Sequence, residues 1–391
     1  MPSADTGQAR YREVDAKSIT RLRGTVDPWF LGRYGMNLYR GCEQGCVYCD
    51  GRAERYYVKG SFDRDIAVKH NAVGLLRREL GRAREPGFVL LGGGVCDAYQ
   101  PAEERYELAR GVLQVALELR LPVHVLTKSS LVERDLDLLR AIDEQSRAIL
   151  SFSIQTVDDE VRARFEPRAA PMSERLRIMS LAKQAGLGVG AMAMPVLPGI
   201  SDTQEQIDEL VGQVADAGAD FVCFGGLTLR PGVQRDTYLA EIRQHHPDLL
   251  RGYRAAYRSS HPSGAPDRRY AARVDARFHR ALGRHRLPGR APRRLFAAQM
   301  PLYAEVAVLL EHRQLELRMA GAPGRRLGAA GFAIQKWARD SLSKRGRRKG
   351  FSYRQLEEEL RQRVADGSIV ELPGVHGAAQ RELRRLLREG A

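Results

Sequence analysis

Between residues 36 and 226, short apolar runs alternate with longer amphipathic stretches. The short runs are MNLY (36–39), FVLLG (88–92), PVHVLT (122–127), AILSFSIQ (148–155), GVGAMAMPV (188–196) and FVCFGG (221–226). Each has the length of a strand, and most are rich in β-branched or aromatic residues. The stretches 70–84, 103–119, 131–144, 173–185 and 202–217 repeat apolar residues at helical spacing instead. Strands and helices in strict alternation predict βα units around a parallel sheet, an α/β fold. Ser173, followed by Glu174, and Asp202 are candidate helix N-caps, because a side-chain oxygen there accepts from an unpaired backbone N–H. The segments after the second, fourth and fifth strands carry Gly, Pro or Gln and fall on one rim, where α/β folds place their chemistry.

Past residue 235 the pattern changes to helices joined by basic, Pro/Gly-rich connections such as SSHPSGAPDRR (259–269) and RLPGRAPRR (286–294). The predicted division is an N-terminal extension (1–30), a βα domain (31–235), a helical connecting region (236–298) and a basic all-α domain (299–391). A chain of 391 residues exceeds the usual size of one hydrophobic core, which agrees with several units. No internal repeat or long low-complexity tract is present.

Charge sharpens this division. Residues 1–250 carry 32 Lys and Arg against 35 Asp and Glu, whereas residues 251–391 carry 31 against 13. The whole excess of +15 therefore sits in the last third, densest at LSKRGRRKGF (342–351), and points to a polyanion, most simply nucleic acid. No run approaches the roughly 20 apolar residues that cross a bilayer. MPSADTGQAR lacks the apolar stretch of a secretory signal, so the expected location is the cytoplasm.

The stretch YRGCEQGCVYCDG (39–51) holds three of the five cysteines, Cys42, Cys46 and Cys49, spaced Cys-x3-Cys-x2-Cys after the first predicted strand. An odd number with three crowded together is not a disulfide framework; such a cluster binds metal or does redox chemistry. Soft thiolates in one loop suit iron–sulfur or zinc. A structural zinc site wants four ligands, and the nearest further candidate, His70, heads a helix. Three ligands leave a metal position open, which suggests catalysis.

With Tyr48 just before the third cysteine, the motif resembles the signature of the radical S-adenosylmethionine (SAM) superfamily, whose fold is a partial (β/α)6 barrel. The resemblance implies a [4Fe-4S] cluster held by Cys42, Cys46 and Cys49, with SAM chelating the remaining iron. One electron, from a donor such as a flavodoxin or ferredoxin, would then cleave SAM to methionine and a 5′-deoxyadenosyl radical that takes hydrogen from substrate. It also implies SAM contacts. Gly92, Gly93 and Gly94 would approach the amino group and Lys128 the carboxylate. Ser153 and Gln155 would meet the ribose, with Met194 and Pro195 along the adenine. Within the superfamily, MNLYRGCEQGCVYCDGRAE, GVCDAYQPAE, VHVLTKS, SFSIQT and EPRAAPMSERL resemble the spore photoproduct lyase-like group, often labelled DNA repair photolyases. There a cysteine after the second strand returns hydrogen to the product radical. Cys96 lies in the corresponding loop, although VCDAY replaces the lyase's CTSD-like pattern. Asp97 and Tyr99 are candidate substrate-facing groups, Cys223 reads as core, and Arg40 and Asp50 have no assigned role.

Residues 303–391 resemble the helical N-terminal domain of family X DNA polymerases, which ends in a helix-hairpin-helix. The hairpin would be Leu372, Pro373, Gly374, Val375, His376 and Gly377, with His376 where a second glycine is expected. Such a turn aims backbone N–H groups at a DNA phosphate, so Gly374, His376 and Gly377 are candidate contacts. The leading expectation is a cytoplasmic radical SAM enzyme acting on DNA, lyase-like in base lesion repair. The alternatives are a radical SAM enzyme for a peptide or small molecule, and a non-catalytic metal-stabilised nucleic-acid-binding module.

Overall fold

In the computed structural model, which describes residues 8–22, 24–82, 85–93, 95–258, 263–322, 324, 326–346 and 352–388, the apolar runs become strands. These are β1 (Arg10–Glu13), β2 (Arg21–Leu22), β3 (Gly32–Met36), β4 (Tyr39–Arg40), β5 (Asp65–Val68), β6 (Phe88–Leu91), β7 (Val123–Thr127), β8 (Ala148–Ser153), β9 (Gly188–Val196) and β10 (Phe221–Gly226). The main sheet runs β10-β9-β8-β7-β6-β3-β2, parallel except for β2 at its edge. It is open, a partial barrel; β1, β5 and β4 form a separate small sheet. The helices are α1 (Ala72–Leu80), α2 (Ala102–Tyr106), α3 (Leu108–Glu118), α4 (Leu136–Gln145), α5 (Asp159–Phe165), α6 (Met172–Gln184) and α7 (Gln204–Asp216). After β10 follow α8 (Val233–His245), α9 (Leu250–Ala256), α10 (Arg268–His285), α11 (Leu302–Met319), α12 (Arg326–Gly346), α13 (Tyr353–Ala365) and α14 (Ala378–Arg388). No helix among the described residues is long and apolar enough to cross a membrane.

Five of the six core strands fall where the pattern puts them; the first does not. MNLY is not the strand beside β6. That strand is Gly32–Met36, whose two glycines and buried Arg33, paired with Glu85 at 2.6 Å, hide it from an apolar count. The expected helix 103–119 breaks at Glu107 (φ +46°) into α2 and α3. Buried Glu103 accepts the N–H groups of Ala109 and Arg110 across that break. The caps also shift. α6 begins after Pro171 without a side-chain cap, and Thr203 with Gln206 forms the capping box of α7. Asp202 instead accepts the N–H of Gly199 at 2.9 Å.

Strand side chains alternate between two faces. On the convex face Val89, Leu91, Val125, Leu150, Val189 and Val222 pack under α1, α3, α4, α6, α7 and α10. On the concave face Phe88, Ile149, Met192, Phe221 and Cys223 share a core with Val26 and Leu31 and with Tyr303, Val306 and Leu310 of α11. Segment 26–31 thus plugs the interior at the N-terminal ends of the strands. Its polar backbone is satisfied in place, as burial demands. The His124 Nδ1–H donates to Phe30 O at 2.8 Å, while Nε2 accepts from the Ser151 hydroxyl. His312 donates to Pro28 O, and Val26 N–H donates to the Gln335 side chain. Above the plug, toward the C-terminal ends of the strands, the interior stays open.

Candidate functional site

The cysteine loop leaves β4, packs Cys42, Cys46 and Tyr48 into the core, and is tied down through its backbone. Cys42 N–H donates to Phe62 O at 2.8 Å, Val47 N–H to Phe165 O at 2.9 Å, and the Arg52 guanidinium to the carbonyls of Gly45 and Cys46. Arg168 donates to Glu43 O from the far side of the loop. The three sulfurs all face one cavity of about 270 Å³ in the open half of the barrel. Two backbone N–H groups point at sulfur, Asp97 to Cys42 at 3.3 Å and Gly51 to Cys49 at 3.4 Å. Burial pushes the Cys46 thiol up to about 12, with nearby Lys128 opposing it, and raises Cys42 and Cys49 as well. Thiols in this state ionise only against strong positive charge, as a bound metal centre supplies. Soft sulfur donors with N–H groups aimed at them fit an iron–sulfur group.

Most of the expected side chains meet at this cavity. Tyr48, Gly93, Cys96, Asp97, Lys128 and Ser153 line it, and Met194 and Pro195, joined by a cis peptide, form one wall. The Lys128 ammonium stands 5.9 Å from the Tyr48 ring centroid. Burial alone would lower its pKa, but neighbouring Cys46 and the Glu166 carboxylate shift it up, so it stays cationic. Ser153 donates to Met194 O at 3.3 Å. Gly92 (φ +91°) serves packing: a Cβ there would lie 2.1 Å from Leu126 O, so only glycine lets this turn cross β7. Gly94 lies outside the described residues. Gln155 does not reach the cavity lining; its buried amide has no hydrogen-bond partner among the described residues. The Cys96 thiol points at Tyr39 O at 3.4 Å, and burial pushes it up to about 12, so it is held as S–H.

The two substrate-facing candidates take other places. Asp97 lines the cavity, yet its carboxylate accepts from Tyr99 N–H, the Thr127 hydroxyl and Lys128 N–H, clamping the rim loop to the end of β7. Tyr99 is wholly buried and donates to Asp135, away from the cavity, because its ring fills the core under α2. Cys223 is core, as expected. Asp50 pairs with Arg230 and accepts from Tyr56, and Arg40 is exposed.

A buried ion pair behind the cysteines was not legible from the sequence. Glu166 and Arg175 meet at 2.6 Å with both side chains fully buried, and the Tyr48 hydroxyl donates to Glu166. Burial would raise the Glu166 pKa, but Arg175 and Lys128 hold it below the usual carboxylate range. Arg175 also donates to Ser153 O at 2.7 Å and Ala170 O at 2.9 Å. One arginine therefore links the cysteine loop, through Tyr48, to the end of β8. Both residues fall in EPRAAPMSERL, whose single signal is a Glu and an Arg near prolines at the turn from α5 to α6.

In the C-terminal third, Gly374 (φ +87°) and Gly377 (φ +53°) flank exposed His376 in a turn between the 3-10 helix Ser368–Glu371 and α14. Leu372 and Val375 are buried beneath it. Residues 347–351 of the basic run lie outside the described residues.

The Radical SAM superfamily model matches residues 36–211. An uncharacterized protein of Mycobacterium tuberculosis is 34% identical over 279 residues, covering 70% of this chain and 81% of the relative. An uncharacterized protein of Acidianus two-tailed virus is 28% identical, covering 52% and 69%. Among solved structures, a mutant of spore photoproduct lyase superposes with a TM-score of 0.51 at 16% identity, over 72% of this chain and 80% of the other. That is a likeness of fold.

Proposed function

Because the chain belongs to the radical SAM superfamily, which uses a [4Fe-4S] cluster and SAM, we propose that Cys42, Cys46 and Cys49 hold the cluster and that SAM binds in their cavity. The observation that carries this is the convergence of all three sulfurs on one cavity with Gly93, Lys128, Ser153, Met194 and Pro195. When bound, the pair supplies one-electron reductive chemistry, with an acidic carrier of the flavodoxin or ferredoxin type as the source of electrons. The chain's own groups bind, orient and shield. Lys128 offers a fixed cation for the SAM carboxylate. Ser153 offers a hydroxyl to the ribose, and Met194 with Pro195 an apolar wall to the base. Gln155, which stays off the cavity lining, is assigned no cofactor contact. Cys96 is a thiol, not a thiolate, at the cavity edge, the form that can give a hydrogen atom to a product radical.

The substrate in this reading is DNA, and the reaction lyase-like repair of a base lesion. Its support is the net excess of basic residues in the last third, the exposed turn Gly374–Gly377, and the kinship in fold with an enzyme named for a photoproduct. Contacts would be to backbone phosphate and salt-sensitive. A lesion base would leave the stack to reach the cavity, at a cost of about a few kcal/mol.

Anaerobic reconstitution tests the assignment. Cys46→Ala is expected to lose the brown chromophore and reductive SAM cleavage together; cleavage that persists defeats the cluster assignment. Cys96→Ala is expected to keep both while losing repaired product from damaged oligonucleotides, measured by mass spectrometry. Unaltered repair by that variant removes Cys96 from the chemistry.

A further inference from the structure

A second cavity, of about 680 Å³, opens on the same rim between the loop after β9 and helices α9 and α10. No residue lines both cavities, but the backbone beside the cysteine cavity is tied to the segments that flank the second. Leu227 and Thr228 line the cysteine cavity, and Tyr257 on the α9 side donates to Leu227 O at 2.9 Å, while Leu229 N–H donates to Gly264 O at 2.8 Å. The end of β9 supplies Met194 and Pro195 to the first cavity, and the loop after it supplies Pro198 and Gly199 to the second.

The charges in this second cavity are unbalanced in use. Its two carboxylates are committed. Asp202 accepts from Gly199 N–H and pairs with Arg277 at 3.5 Å, and Asp267 caps α10 by accepting from Arg269 N–H at 2.8 Å. Its three guanidiniums, Arg258, Arg269 and Arg273, are exposed and form no ion pair among the described residues. Arg273 lies over the Tyr270 ring at 5.6 Å, which sets its direction. Tyr270 is buried, and its hydroxyl faces the Asp202 carboxylate. Burial and nearby Asp202 raise its pKa, so it remains a donor. Free planar forks suit a phosphate group, whose oxygens accept two bonds from each arginine.

Resting on the nucleic-acid reading above, we infer that the Arg258–Arg269–Arg273 cavity is a phosphodiester clamp for one strand, holding its backbone while a neighbouring nucleotide enters the cysteine cavity. The clamp needs no base contact, so it is indifferent to sequence.

The test uses the full-length protein and a short fluorescein-labelled single-stranded oligonucleotide, followed by anisotropy between about 50 and 200 mM salt. Replacing Arg258, Arg269 and Arg273 with Gln is expected to flatten the plot of log affinity against log salt by about 2, at about 0.7 per lost phosphate contact. A matched variant with Gln at Arg78, Arg82 and Arg120, exposed at the opposite rim, is expected to leave the slope alone. Equal flattening by both triple variants, or an unchanged slope in the clamp variant while the wild type binds, overturns the clamp and leaves the nucleic-acid reading standing. Absence of any wild-type binding at low salt overturns both. Thermal melting of each variant separates lost contacts from lost fold.

Discussion

Arg175 is the residue on which the rear of the site depends. Its guanidinium neutralises Glu166 and holds two carbonyls, and Glu166 in turn anchors the Tyr48 hydroxyl. Removing one partner of a buried pair strands the other charge, which costs about 3–5 kcal/mol, whereas removing both is often near neutral. Arg175→Met is therefore expected to lower unfolding free energy by about that much in urea titrations. Adding Glu166→Leu should recover most of it. The double variant still lacks the Tyr48 anchor, so iron retained after reconstitution should stay low even as stability returns. Residue by residue, legibility in the sequence followed locality. Cys42, Cys46 and Cys49 could be read because their spacing lies within eight residues. Glu166 and Arg175 could not, although they pair with each other, because the turn that joins them and their further partners, Tyr48 and Ser153 O, are set by the fold. Tyr99 was misplaced for the same reason: a polar aromatic in a rim loop looks available until Asp135 is seen to take its hydroxyl.

Elements were legible where an apolar run and a buried strand coincide, as in β6 to β10, and failed where burial is achieved by charge pairing. β3 is the clearest case, with Arg33 inside and Glu85 beside it. The plug at 26–31 was missed altogether, since no periodicity marks a segment whose backbone is satisfied by side chains from three distant elements. It has a measurable signature in pH. His124 is buried as the neutral ring, and burial lowers its pKa from 6.5 to about 4; the same cause takes His312 to about 3. Between those values and 6.5 the unfolded chain binds protons that the folded chain does not. Stability is thus full above 6.5 and falls as pH drops toward 4. For His124 alone the loss is about 3 kcal/mol at about 1.4 kcal/mol per pKa unit. The midpoint of urea unfolding should fall across that window, and His124→Gln, which cannot titrate, should flatten the profile.

In the whole molecule, the two ends of the chain meet inside the barrel. The charge count marks the last third as basic, but does not show that α11 and α12 complete the concave core together with Val26, Leu31, Phe88 and Phe221. A truncation ending at residue 298 is expected to lose its cooperative melting transition, because Tyr303, Val306 and Leu310 leave with it and each large apolar truncation costs about 2–5 kcal/mol. This arrangement also orders events during synthesis. Phe30 lines the floor of the cysteine cavity, and the segment that carries it is pinned by His312 and Gln335, near the end of the chain. A nascent chain therefore exposes all three cysteines long before the floor beneath them is fixed. Cluster insertion is expected only after α12 has left the ribosome. Stalled chains released just before and just after that point should differ in the iron they retain, which ties the timing of maturation to a contact between segment 26–31 and helices α11 and α12.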